Sequence, residues 1–102
     1  MTKTKAVTVR TPGELARALG LSPADAVEMD IRRRLNDKII DAVDRSGLTH
    51  SQVARKARTS RPRLTAILNR NAQHVSTDLM LRILAALGYR AKISFTRSGR
   101  AA

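Results

Sequence analysis

The 102-residue chain has no cysteine and no tryptophan, and only one phenylalanine and one tyrosine. The lack of cysteine excludes a disulfide framework, a thiol nucleophile and a thiolate metal site, and fits a reducing cytoplasm. With so few rings the core must be aliphatic, and the stacking platforms that read splayed RNA bases are missing. Acid is scarce as well: 8 Asp and Glu stand against 20 Lys and Arg, a net charge of +12. Such an excess asks for a polyanionic partner, with nucleic acid first. The basic opening Met-Thr-Lys-Thr-Lys lacks the apolar run of a signal peptide, and nothing approaches a membrane span. A cytoplasmic protein without membrane contact is expected, nucleoid-associated when bound to DNA. The length suits one domain with a modest core, too small for an added catalytic cleft. No nucleophile stands beside a base and no glycine-rich phosphate loop occurs, so neither enzymatic activity nor a cofactor is expected. His50 and His74 have no partners at metal-ligand spacing, which argues against a metal site.

What charge there is has a pattern. Between Asp44 and Asp78 there is no acidic residue, while Arg45, Arg55, Lys56, Arg58, Arg61, Arg63 and Arg70 all occur. That basic stretch holds two short helices. Thr49 followed by Gln52 is a capping box that starts the first, which runs to about Ala57. Ser60 caps the second, with Pro62 in its first turn, where a missing N–H costs nothing, and Leu64, Ile67 and Leu68 as its apolar stripe. Only Arg58 and Thr59 remain for the turn, so the helices must cross steeply, with Ala54 as the small residue and Leu64 as the knob at the crossing.

Around this pair, residues 5–10 suit a short strand or arm. Thr11 and Glu14 open a short helix carrying Leu15, Ala18 and Leu19 and ended by Gly20. Ser22 and Pro23 start a long helix with Asp25 near its positive end, closed by Gly47 as a left-handed cap. Its apolar residues Val27, Ile31, Leu35, Ile39 and Val43 recur every four positions, a step that drifts by about 40° around a helix. Leu35, Ile39 and Val43 are therefore expected on the two short helices, and Val27 and Ile31 on the N-terminal helix or a second subunit. A polar loop spans residues 69–75. Ser76 and Asp78 then begin a last helix with Leu79, Ile83, Leu84 and Leu87 inward and Gly88 as its stop, Met29 and Met80 filling gaps between helices. Residues 89–96 alternate, placing Tyr89, Ala91, Ile93 and Phe95 on one face, which predicts a strand. A lone strand needs a partner along its edges; the candidates are the N-terminal strand around Val7 and its symmetry mate in a homodimer, the second being the first choice. Residues 97–102 are expected to be a disordered tail.

The two-helix segment resembles the helix-turn-helix of the phage-repressor-like, or XRE, family, whose second helix enters the major groove. Arg58 departs from the glycine usual in that turn, and a non-glycine residue at positive φ costs roughly 1 kcal/mol. The order Leu19-Gly20-Leu21-Ser22-Pro23, Leu48-Thr49 and Leu84-Ala85-Ala86-Leu87-Gly88-Tyr89 is similar to the HigA-like branch. The resemblance implies a mainly α, five-helix domain over residues 11–96 with a C-terminal strand, acting as a repressor on a palindromic operator of double-stranded DNA. It also implies autoregulation and an antitoxin-like role, with a RelE-like toxin as a partner such proteins often have.

Under that resemblance Arg61, Pro62 and Ala66 face the bases, with Arg63 and Thr65 nearby, and Arg61 and Arg63 are expected to read guanine. Pro62 and Ala66 offer apolar contact. Thr49, His50, Ser51 and Ser60, at the helix starts, and Arg70 are expected at phosphates, with Arg55, Lys56 and Arg58 adding charge. Two rivals are an antitoxin acting mainly through protein binding to a small ribonuclease, and an RNA-binding protein, the latter disfavoured by the shortage of rings.

Overall fold

The structure is a computed structural model and describes Gly20 and residues 22–97. Among these residues lie four helices in chain order: α1 (Pro23–Ser46), α2 (His50–Lys56), α3 (Arg61–Leu68) and α4 (Thr77–Ala86). Each starts where a hydroxyl residue can accept from an otherwise unpaired first-turn N–H, which is worth about 1 kcal/mol per helix. Ser22 Oγ accepts from the Asp25 N–H at 3.1 Å, and the Asp25 carboxylate accepts in return from the Ser22 N–H at 3.1 Å. Thr49 and Gln52 exchange the same pair of bonds, at 3.1 and 2.8 Å. Ser76 Oγ takes the Leu79 N–H at 3.1 Å. Gly47 closes α1 at φ +71°, a conformation that L side chains disfavour.

The core forms where α1 and α2 each pack against α3 and α4. Ile39, Val53, Leu64, Ile67 and Ile83, drawn from all four helices, are each 0% exposed. Burying each such side chain contributes about 1.5–3 kcal/mol. The drift of the four-residue row along α1 is visible in its burial. Val27 is 59% exposed and Ile31 48%, Leu35 is half-buried, and Ile39 is fully covered. As expected, only the C-terminal half of the row faces the short helices. The segment expected to form a helix at residues 11–20 lies outside the described residues apart from Gly20, as do the arm over residues 1–10 and the tail beyond residue 97.

The five-helix architecture with a C-terminal strand is corrected by the structure: four helices and no strand are present among the described residues. Alternation supplies the side-chain pattern of a strand but not its hydrogen-bond partners, and nothing in the described chain pairs with residues 89–96. The N–H of Tyr89 instead donates to the Leu84 carbonyl at 2.9 Å, finishing the α4 cap. Its ring packs on the core of its own chain, with Lys38 Nζ 4.4 Å from the ring centroid. Tyr89 therefore does not share a face with Ala91, Ile93 and Phe95. Those three are exposed, Phe95 at 92%.

Two polar side chains of α1 tie down the far side of the fold. Asn36 is 7% exposed, and its side-chain amide donates to the Ile67 carbonyl at 3.0 Å. One turn earlier, Arg32 donates to the carbonyls of Ala72 and Val75 at 2.7 and 2.6 Å and to Thr77 Oγ1 at 3.0 Å. These bonds reach carbonyls at the end of α3 and in the 69–76 loop, those of Ile67 and Ala72 also accepting a backbone N–H. The end of α3 and the loop after it are thereby held to α1.

Candidate nucleic-acid interface

The turn between α2 and α3 is tight because its backbone doubles back on α2. The Arg58 N–H donates to the Arg55 carbonyl at 3.1 Å and the Thr59 N–H to the Ala54 carbonyl at 2.9 Å. This places Arg58 at φ +57°, the strained conformation expected from its departure from glycine. Ala54, 4% exposed, lies at the crossing with the fully buried Leu64. Thr59 Oγ1 is buried in the same turn without a hydrogen-bond partner among the protein groups.

Ser60 Oγ caps α3, accepting the Arg63 N–H at 3.3 Å, and Leu64 and Ile67 anchor the helix by its inner face. At about 100° per residue, Arg61, Pro62, Thr65, Ala66 and Asn69 fall within one outward arc opposite that anchor. They line an open groove of about 430 Å³ together with Asn71. Four of the five side chains expected at bases are thus brought together. Arg63 is exposed but does not line the groove.

Asn69 and Asn71 join the groove unexpectedly. Asn69 ends α3 and continues the Arg61–Thr65 row by one more turn, a spacing that the sequence displays. Asn71 arrives there because its N–H reaches back to the Ala66 carbonyl at 2.7 Å, a closure that no local spacing announces. Arg70, between them at φ +58°, turns away and pairs with Asp37 of α1 at 2.7 Å. The expected phosphate contact is thus in an intramolecular ion pair.

At the start of α2, Thr49, His50 and Ser51 are exposed, with the Thr49 hydroxyl already engaged in its capping box. His74 is exposed in the loop. Three of the acidic residues of α1 are paired with nearby cations. Asp30 pairs with Arg33 and Arg34, Asp37 with Arg33 and Arg70, and Asp41 with Lys38 and Arg45. The Arg45 side chain bonded to Asp41 holds that carboxyl below its ordinary value, and Asp41 in turn raises Arg45. Among the described residues Arg55, Lys56, Arg58, Arg61 and Arg63 are in no ion pair. Uncompensated positive charge therefore collects on α2, α3 and their turn, as a polyanion-binding surface requires.

Among the described residues no group of His, Cys, Asp and Glu is disposed to hold a metal, and no helix is long and apolar enough to cross a membrane. No curated protein and no solved structure matches the chain. Residues 18–96 match the family model described as a helix-turn-helix domain. With α2, a tight turn and a cationic α3 spanning the centre of that match, the chain belongs to the helix-turn-helix domain family, whose domain marks a DNA-binding regulator.

Proposed function

We propose that this protein is a sequence-specific repressor that binds double-stranded DNA with α3 in the major groove. The outward face of α3 carries the proposal: a row of short side chains headed by Arg61 and free of acid, backed by the buried Leu64 and Ile67. Arg61 would donate two hydrogen bonds to guanine O6 and N7, and Asn69 or Asn71 would pair with adenine N6 and N7. Pro62 and Ala66 suit a thymine methyl group, with Thr65 between them. Phosphates fall to His50 and Ser51 at the start of α2, to Ser60 and Arg63 at the start of α3, and to Arg70 once Asp37 releases it.

A helix of eight residues is about 12 Å long and reads roughly four base pairs. So short a word does not define a site, which supports two copies acting on a palindrome with half-sites about 34 Å apart. The order of elements shared with the HigA-like branch supports autoregulation and an antitoxin-like role. Titration of a duplex from the gene's own upstream region at several salt concentrations tests the proposal. Tight binding that falls steeply with salt, in a complex of two chains per duplex, supports it. Affinity unchanged between low and moderate salt overturns it.

A further inference from the structure

An open groove of about 360 Å³ lies between α1, the 69–76 loop and α4. Met29, Ala72 and Met80 give it apolar surface, and Arg32 and Asn36 of α1 add polar groups. Arg33 and Arg70 also border it, and no acidic residue does. Apolar surface with a few convergent polar groups is the usual make-up of a small-molecule site.

Two of these side chains have bonding capacity left over. The half-buried Arg32 guanidinium donates to Ala72, Val75 and Thr77 through its Nη atoms, and its Nε–H has no partner among the described residues. It has no carboxylate partner there either, whereas Arg33 is paired with Asp30 and Asp37, and Arg70 with Asp37. Bonds to neutral carbonyls hold the loop, but they do not neutralise a charge drawn partly out of water. Asn36, 7% exposed, spends its amide nitrogen on the Ile67 carbonyl, and nothing among the described residues donates to its Oδ1. Thr59 Oγ1 is the one sealed side-chain polar atom without a partner among those residues, so Arg32 Nε and Asn36 Oδ1 are both open to the surface.

We infer that this groove binds an N-acylated apolar amino acid by its free carboxylate. Arg32 and Asn36 are one turn apart on the same face of α1, with Cβ atoms about 5–6 Å from each other, so a cation and an acceptor stand side by side. A carboxylate on Arg32 Nε, with an amide N–H on the adjoining carbon for Asn36 Oδ1, fits that pair. The apolar side chain then lies over Met29 and Met80, whose flexible thioethers adapt to its shape. A free ammonium in place of the amide would stand among Arg32, Arg33 and Arg70, so the acylated form is favoured. The same chemistry occurs in a free N-acyl amino acid and at the carboxy terminus of a peptide. The inference does not depend on the DNA-binding proposal. The site nevertheless adjoins the reading face, because Arg70 and Ala72 flank Asn71, which lines the α3 groove.

The experiment uses the full, isotope-labelled chain without DNA and follows its amide resonances during titration. The probes are N-acetylleucine, an acetylated pentapeptide ending in leucine, and N-acetylleucinamide, which lacks the charge. Saturable shifts concentrated in residues 29–36 and 70–77 are expected for the two acids. N-acetylleucinamide should bind more weakly by roughly tenfold or more, the worth of a charge-assisted bond. Tighter binding of the pentapeptide assigns the site to peptide termini, and equal or weaker binding assigns it to small acids. Met29→Glu sets a carboxylate three residues from Arg32 without removing any bond that Arg32 makes. It is expected to weaken N-acetylleucine by a similar factor while the spectrum stays that of the folded chain. Arg32→Gln should do the same, and if it loosens the 69–76 loop, Met29→Glu still decides. The inference is overturned if neither acid gives saturable shifts at these residues, if N-acetylleucinamide binds as tightly, or if folded Met29→Glu binds as the wild type does. Failure to bind a duplex, in a separate titration, would overturn the DNA-binding proposal and leave this result unchanged.

Discussion

Arg61 and Arg63 are two residues apart on α3, and their replacement by alanine should have different consequences. With Arg61 placed at 0°, Thr65, Asn69, Pro62 and Ala66 lie at about 40°, 80°, 100° and 140° around the helix. The buried Ile67 and Leu64 lie at about 240° and 300°, and Arg63 at about 200°. Arg63 is thus about 60° past Ala66 and outside the groove-lining arc, while Arg61 lies inside it beside the half-buried Leu68 at about 340°. Arg61 lines the groove and Arg63 does not, so Arg61 is the one expected to lay its guanidinium along a base edge. A two-pronged arginine–guanine contact discriminates by about 1–3 kcal/mol, roughly 5- to 150-fold. Arg61→Ala is expected to erase the preference at one base pair of each half-site by that factor. Arg63→Ala should weaken all duplexes alike and flatten the salt dependence by about 0.9. Selection from random duplexes followed by titration of matched and single-mismatch sites distinguishes these outcomes. If Arg63→Ala relaxes a defined base pair while Arg61→Ala leaves every preference intact, the groove has been assigned to the wrong side of α3.

Asp37→Asn frees Arg70 from its 2.7 Å partner and removes a negative charge beside the interface. A unit charge about 7 Å from a phosphate in water is worth about 0.6 kcal/mol, so affinity should rise roughly threefold, while stability changes by no more than about 1 kcal/mol because both side chains are well exposed. Weaker binding in an equilibrium titration would show Arg70 to be a brace rather than a held reserve. Thr59→Val removes the unpartnered hydroxyl from the turn and should stabilise by about 1 kcal/mol, raising the melting temperature by about 4–8 °C in a domain of this size. Asp41 is held below its ordinary value by Arg45, so its stabilising effect is complete above the unfolded carboxylate value of about 3.9 and drains away as pH falls through the folded one. Asp41→Asn should therefore shrink the loss of melting temperature between about pH 4 and pH 2, as followed by circular dichroism.

The helix starts were legible in the sequence because capping is a transaction between residues three apart. Thr49 with Gln52 and Ser60 before Arg63 form the bonds that their spacing announces, and Ser22 with Asp25 goes further, to a full box. The stops at Gly47 and Gly88, both at positive φ, are equally local. So is the four-residue row of α1, whose geometric drift foretold that Ile39 would be covered and Val27 left open. What tertiary structure alone decided lies across longer separations. Alternation in residues 89–96 looks the same whether or not a neighbouring edge exists, and the structure turned Tyr89 inward instead of pairing the segment. The pairing of Arg70 with Asp37, the hold of Asn36 on Ile67 and the reach of Arg32 to Ala72, Val75 and Thr77 join residues 31 to 45 apart. A side chain's local sequence states which groups it can bond; which of them arrives within 3 Å depends on how the helices pack, and that fixed the lining of the α3 groove, with Asn71 in it and Arg63 outside it.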